Sequence, residues 1–313
     1  MRVVVTGGAG FIGANLCRHL LAVQPVDRVV VVDDISSGME ANLAGLDVEL
    51  HRGSILNDDV LDAALAGAAS VVHLAARPSV PRSIIDPVST HEVNATGTVR
   101  VLEAARRHEV PHLVMSSSSS VYGANPVLPK HEELVPRPRS PYAASKLAAE
   151  SAALAWSAVW DLRVLAFRFF NVFGPLQAPG HAYAAVVPSF LQSALAGRSV
   201  EVHGDGRQTR DFTFVDTVCE ILTEAVIGQV ASELPVNLAF GGRSDLLRVL
   251  DLIESILGHP VARHHVPPRA GDVRDSQADR TRLEALFPGV EPVDLEVGLR
   301  RTVDWFRSGP QRA

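Results

Sequence analysis

The chain has 313 residues, 47% of them hydrophobic, with 29 Lys plus Arg against 35 Asp plus Glu and a net charge of −6. This composition excludes a disordered chain, does not suggest a general nucleic-acid binder, and contains no apolar run long enough to span a membrane. The length suits one large core or two lobes sharing a cleft.

Met1-Arg2-Val3 leads straight into a strand and leaves no room for a signal peptide, so a cytoplasmic location is expected. The two cysteines, Cys17 and Cys219, lack metal-ligand spacing and read as small core residues in a reducing compartment; no metal site is expected. Arg2 to Thr6 is a β-branched run that reads as a buried parallel strand. Gly7-Gly8-Ala9-Gly10-Phe11-Ile12-Gly13 follows, then a helix carrying Phe11, Leu16 and Leu20, then a second apolar strand, Val29 to Val32, ending at Asp33. In this strand–turn–helix–strand setting Gly7 permits the tight turn, Gly10 lets the backbone approach a pyrophosphate, and Gly13 lets the helix pack on the strand. The pyrophosphate belongs on the helix N-terminus, and Asp33 is placed to accept from a ribose 2′-hydroxyl. Asp33 and Asp34 would repel a 2′-phosphate and no Arg stands at that strand end, so the pattern favours NAD over NADP.

Further strand–helix units follow: Val48 to His51 as a strand, Asp58 to Leu65 as a helix, and Ser70 to Ala76 as a strand ending in small residues that leave room for a ligand. His73, at that strand end, reads as structural, with a catalytic role as the alternative. Arg77 to Pro87 carries three prolines and reads as a loop, and a long helix is expected from about Val88 to His108. It contains Asn94 and Gly97, poor helix residues whose plain reading is tight packing against a neighbour. Pro111 to Met115 is the next strand. Ser116 to Ser120 lie at its end, where a functional hydroxyl is expected.

A proline-rich loop over 124–141 leads to a helix beginning Tyr142-Ala143-Ala144-Ser145-Lys146. Tyr142 and Lys146 share one helix face, one turn apart. A free tyrosine titrates near ~10, and an ammonium one turn away favours the phenolate, so the pair is expected to act as a tuned general base. Asp161 to Phe169 is another strand. Beyond Asn171 come glycines, prolines and shorter helices, with Gly204-Asp205-Gly206 beside Arg207 and Arg210, and later Arg269-Ala270-Gly271-Asp272. Arginines in Gly-rich loops of such a fold suit diphosphate recognition. The expected architecture is α/β: a doubly wound parallel sheet of the Rossmann type with a smaller C-terminal α/β lobe. The division expected is 1–170 plus about 211–240 for the dinucleotide and about 171–210 plus 241–313 for the substrate.

The glycine turn, the serine run before Val121-Tyr122-Gly123, and Tyr142-Ala143-Ala144-Ser145-Lys146 together resemble an extended short-chain dehydrogenase/reductase. Arg168-Phe169-Phe170-Asn171-Val172-Phe173-Gly174-Pro175 and Gly204-Asp205-Gly206-Arg207-Gln208-Thr209-Arg210-Asp211-Phe212 are similar to the sugar-nucleotide branch of that family. The resemblance implies Tyr142 as base, Lys146 on the nicotinamide ribose and Ser118 as the catalytic hydroxyl. It implies that NAD lies against Gly7, Gly10, Phe11, Ile12, Gly13, Asp33, Asp34, Ser54, Ile55, Leu74, Ala75, Ala76, Asn94, Ser116 and Phe169. Many relatives have an acid where this chain has Ser54. On the substrate side it implies Arg82, Ser118, Ser119, Ser120, Tyr142, Asn171, Val187 and Ser276, with Arg210, Arg269 and Asp272 gripping the nucleotide diphosphate and its ribose.

Dehydratases of this branch carry an Asp-Glu pair before the Tyr-Gly that ends the serine strand, and decarboxylases a Glu; here the residues are Ser119-Ser120-Val121. Without a carboxylic acid there, elimination of water lacks its acid and base, which leaves oxidation and re-reduction at C4. Ser79-Val80-Pro81-Arg82-Ser83, Ala182 to Pro188 and Gly271 to Asp279 look most like 4-epimerases of UDP-N-acetylhexosamines. Ser276 stands where enzymes restricted to glucose and galactose often carry Tyr. The expected substrates are UDP-GlcNAc/UDP-GalNAc and UDP-Glc/UDP-Gal. The alternatives are a uronate substrate held by Arg82, which Ala178 and Asn171 disfavour, and a non-catalytic NAD-binding regulator, which the presence of both Tyr142 and Lys146 disfavours. In relatives, helices matching 88–108 and 142–160 form a four-helix dimer interface, so a homodimer is expected, with Leu154 or Trp156 among its buried residues.

Overall fold

The computed structural model describes residues 1–178, 185–268 and 274–309. In chain order it contains β1 Arg2–Thr6, α1 Phe11–Leu21, β2 Arg28–Asp33, β3 Val48–Arg52, α2 Asp58–Leu65, β4 Ser70–His73, α3 Val80–Ile85, α4 Pro87–His91, α5 Gly97–Arg107, β5 His112–Ser118, α6 Pro141–Val159 and β6 Arg163–Phe169. There follow β7 Asn171–Phe173, α7 Val186–Leu195, β8 Val200–His203, β9 Thr209–Arg210, β10 Phe212–Phe214, α8 Val215–Gly228, β11 Val236–Leu238, β12 Ser244–Asp245, α9 Leu246–Leu257, β13 Arg263–Val266, α10 Thr281–Leu286 and α11 Leu295–Ser308.

The main sheet has seven strands in the order β11-β6-β5-β4-β1-β2-β3, and every pairing in it is parallel. The order reverses between β1 and β4, which opens a crevice at their carboxyl ends. The valine runs of β1 and β2 follow from helices on both faces. Val3, Val5, Val29 and Val31 pack into one layer with Leu16, Leu20 and Val218 from α1 and α8. Val4, Val30 and Val32 pack into the other with Leu61, Leu102, Ala149 and Ala153 from α2, α5 and α6. A strand covered on both sides has no polar face, so its sequence does not alternate. The expected α/β doubly wound sheet is what the chain forms.

Three two-stranded sheets, β10-β7, β12-β9 and β13-β8, lie outside the main sheet. Phe173, Leu191, Val202, Leu299 and Val303 continue the same apolar layer that begins under α1, so the smaller lobe shares a core with the main sheet. We keep the residue division given above as a proposal.

Two expectations change. The helix expected from about Val88 to His108 runs without interruption from Pro87 to Arg107, but its middle turn, Glu92–Thr96 between α4 and α5, is a π-turn. Asp86 caps α4, with Pro87 at its start, and the turn widens around Asn94, whose side chain reaches away from the helix. The strand expected to run from Ser70 to Ala76 leaves the sheet after His73, and Leu74, Ala75 and Ala76 line a cavity instead.

Candidate active site

Two cavities open along the carboxyl ends of the central strands. The first, about 540 Å³, runs from the glycine turn to α6. Gly7 has φ +73, and a Cβ there would come within 2.7 Å of the Ala75 backbone nitrogen; a Cβ on Gly13 would lie 2.2 Å from the Gly7 carbonyl oxygen. The chain therefore turns tightly enough for α1 to begin at the cavity floor. Its N-cap, Gly10, offers no side chain to the helix N–H groups, which are left for an anion. Asp33 accepts from Ala9 N at 2.9 Å and from Ile35 N at 2.8 Å. Burial raises its pKa while these bonds oppose the rise, and each oxygen keeps a lone pair for ribose hydroxyls. A cradle without side chains, an uncapped helix start and an anchored acid together fit a dinucleotide.

Most residues expected at the cofactor line this cavity: Gly7, Gly10, Phe11, Ile12, Gly13, Asp33, Asp34, Ser54, Ile55, Leu74, Ala75, Ala76, Ser116, Tyr142, Lys146 and Phe169. Asn94 does not. Its carboxamide accepts from Arg77 N at 2.7 Å and donates to Arg77 O at 3.2 Å and to Ser145 Oγ at 3.0 Å. It stands behind the wall, fixing the Arg77 loop to the first turn of α6. His73 is also structural. It lies between Thr6 Oγ1 at 2.7 Å and Thr98 Oγ1 at 2.9 Å, and burial lowers its pKa to about 3, which keeps it neutral.

The second cavity, about 450 Å³, is lined by Asn171, Val187 and Arg210, and also by Phe190, Gln208 and Phe212. Arg210 donates to Thr209 O at 2.8 Å and to Arg274 O at 3.2 Å. Arg269 and Asp272 lie outside the described residues. Ser276 lines neither cavity; its backbone N–H donates to Thr209 O at 3.1 Å, next to Arg210. Arg82 lines the first cavity, and among the described residues its guanidinium has no hydrogen-bond or ion-pair partner.

Ser79, Tyr142, Phe170, Val172, Gln177 and Ala185 line both cavities. Tyr142 is thus where a molecule in one meets a molecule in the other. Ser118 lies near enough to the Tyr142 phenol to favour its charged form. Its Oγ already accepts from Ser120 N at 3.2 Å and from Ser120 Oγ at 2.9 Å, so its own proton is left for the phenol oxygen. Ser119 and Ser120 line neither cavity, and Ser120 acts by orienting Ser118. Ser117 faces the other way, donating to the buried Glu150 at 2.5 Å.

The electrostatics differ from the expected pairing. Burial pushes the Tyr142 phenol up, and Ser118 opposes the rise. Lys146 donates to Ser116 O at 2.7 Å, and burial brings its pKa down to about 8. It stays mainly protonated at neutral pH, one turn along α6 from Tyr142 and directed at β5.

A model of the NAD-dependent epimerase/dehydratase family matches residues 3–235. The chain belongs to that family. As a member of the NAD-dependent epimerase/dehydratase family it is an NAD-dependent enzyme, and the cradle described above is where NAD fits. The UDP-glucose 4-epimerase of Mycolicibacterium smegmatis is 38% identical over 99% of this chain and 100% of its own length. The dTDP-glucose 4,6-dehydratase of Streptomyces niveus is 35% identical over 98% of this chain and 93% of its own length. Among solved structures, the UDP-N-acetylglucosamine 4-epimerase from Methanobrevibacter ruminantium M1, in complex with UDP-N-acetylmuramic acid, has a TM-score of 0.92 at 32% identity, covering 98% of each chain.

Proposed function

We propose that the protein is a UDP-sugar 4-epimerase that works on UDP-GlcNAc/UDP-GalNAc and UDP-Glc/UDP-Gal. The observation that carries this reading is Tyr142, which is shared by the dinucleotide cavity and the cavity that contains Arg210 and has Ser118 near enough to favour its phenolate. NAD, when bound, supplies a hydride acceptor that can return the hydride. Tyr142 accepts the 4-hydroxyl proton, Ser118 steadies the oxygen that loses it, and Lys146 holds positive charge beside both. Arg210 anchors the diphosphate away from the reacting carbon, and the sugar turns over before the hydride returns to its other face.

Dehydration is disfavoured because it needs a carboxyl group beside the sugar. Among the described residues, the acids that line the cavities are Asp33 and Asp34, at the end of β2, and Glu201 on β8. Three strand spacings, roughly 14 Å, separate β2 from β5, where Ser118 stands. This arrangement supports the epimerase reading beside the 35% identity to a dehydratase.

The N-acetyl reading rests on Ser276, small where relatives restricted to glucose and galactose often carry Tyr, although Ser276 lines neither cavity. NMR at C4 of a panel of UDP-sugars should show interconversion of both pairs, and Ser276→Tyr should lose UDP-GlcNAc while sparing UDP-glucose, because overpacking penalises the larger sugar. If the variant loses both equally, Ser276 is not the wall. One observation favours a second reading: the Arg82 guanidinium, which has no partner among the described residues, suits a uronate carboxylate, and turnover of UDP-glucuronate in the same panel would select it.

We also propose a homodimer. Ile84, Ile85 and Val88 are exposed by 58, 70 and 68%, on α3 and α4 beside α6, where Val159 is exposed by 69%. Leu154 and Trp156 are already half-buried against the protein's own core. Sedimentation at micromolar concentration should give a dimer, and Ile85→Arg should shift it toward monomer. A wild-type monomer would refute the assembly.

A further inference from the structure

Asp211 stands between two residues of the second cavity and lines neither cavity itself. Arg210 and Phe212 line the second; Asp211, one step along an extended chain, points the other way and is 0% exposed. Its Oδ2 accepts from Ala278 N at 3.0 Å. Its Oδ1 is buried, and a Cβ on Gly242 would lie 3.4 Å from it. Among the described residues Asp211 forms no ion pair. Burial raises its pKa to about 6, and the backbone N–H groups of Ala278, Gly241, Gly242 and Phe240 lie near enough to oppose the rise. Gly241 has φ +75, and a left-handed turn of this kind presents successive N–H groups to an anion.

These contacts join the two segments that flank β9. One runs from β11 into β12, where Ser244 pairs with Arg210. The other is 274–278: Thr209 N donates to Arg274 O at 3.0 Å, and Arg210 Nη1 donates to the same oxygen at 3.2 Å. Gln277 Nε2 closes the two segments on each other, donating to Gly241 O at 3.0 Å. Ionised at neutral pH, Asp211 costs the fold stability relative to its protonated form. The folded chain holds that proton more tightly than the unfolded chain, so the cost is complete above about pH 6 and fades as the pH falls into the ordinary carboxylate range. A buried charge kept without a counter-ion points to what its contacts hold in place.

We propose that Asp211 is a positioning residue: its carboxylate fastens the segments on both sides of β9 and thereby holds the Arg210 guanidinium at the second cavity. This rests on the reading of Arg210 as the diphosphate anchor. The test uses the NAD-loaded enzyme, Asp211→Asn, which keeps the shape and removes the charge, Arg210→Ala, the double variant, and Gln277→Ala. NAD content, binding of UDP and UDP-glucose by calorimetry, and kcat and KM on UDP-glucose are measured for each. Asp211→Asn should keep NAD content and kcat and weaken UDP binding by roughly 10-fold, and Gln277→Ala should weaken it by less. Because Asp211 acts through Arg210, the double variant should bind UDP within about twofold of Arg210→Ala alone. Additive losses, or unchanged UDP affinity in Asp211→Asn, would overturn the proposal. If Asp211→Asn does not fold, Gln277→Ala decides: weaker UDP binding with NAD content kept supports the clamp, and unchanged binding removes it. If Arg210→Ala binds UDP as the wild type does, the reading of Arg210 as the anchor fails first and this assignment falls with it.

Discussion

Tyr142→Phe should lower kcat by ~100-fold or more, about 2.7 kcal/mol, with NAD content and thermal stability close to wild type. The reason is geometric as well as chemical. The phenol has Ser118 beside it and lies where the two cavities meet, so its oxygen is the group placed for the 4-hydroxyl proton. Phenylalanine fills the same space and removes only that oxygen. Lys146→Met should behave differently, lowering activity and NAD retention together, because Lys146 lines the dinucleotide cavity and its bond to Ser116 O is lost. Stopped-time assays read by NMR, with cofactor measured after denaturation, separate the two. Activity of Tyr142→Phe within about threefold of wild type would remove Tyr142 from the role of base.

Glu150→Ala should destabilise the fold by about 3–5 kcal/mol, since it leaves a buried guanidinium without its counter-ion. Glu150 and Arg168 are 3% and 3% exposed, and Arg168 Nη2 to Glu150 Oε1 is 2.7 Å. Arg168 also donates to Glu132 O at 3.1 Å and lies over the Tyr122 ring at 4.7 Å. The pair clamps α6, which carries Tyr142 and Lys146, onto β6, while Ser117 ties β5 to the same carboxylate. Replacing both partners by methionine should recover much of the loss, because an apolar pair of similar volume needs no counter-charge. Denaturant titration of the two single variants and the double variant forms the cycle. A single variant within 1 kcal/mol of wild type would mean that the clamp contributes little.

That clamp could not be read from the sequence. Glu150 was one of several polar residues on a helix, and Arg168 one basic residue in an apolar strand. Each made sense only once the strand and helix were layered. Asn94 is similar. As a poor helix former it marked tight packing correctly, but its partners, Arg77 and Ser145, are 17 and 51 residues away. The helix expected through Asn94 continues but widens into a π-turn there, where those bonds are made to residues distant in sequence. Gln177 carried no signal of its own beyond its place in a glycine- and proline-rich stretch.

What the sequence by itself determined is what depends on neighbours within about one turn or one strand. The glycines that let α1 start at the cavity floor, the valine runs of a doubly covered strand, the acid at the end of β2, and Tyr142 with Lys146 on one helix face all belong to that class. The tertiary structure alone decided which of these groups lose water and which find partners. It brought Ser118 from the end of β5 to the Tyr142 phenol and bonded Lys146 to Ser116 O. It also placed Gln177 beside Tyr142. Periodicity is a local property of the chain, whereas desolvation and pairing depend on surfaces brought together from distant segments, and those set the chemistry of the site.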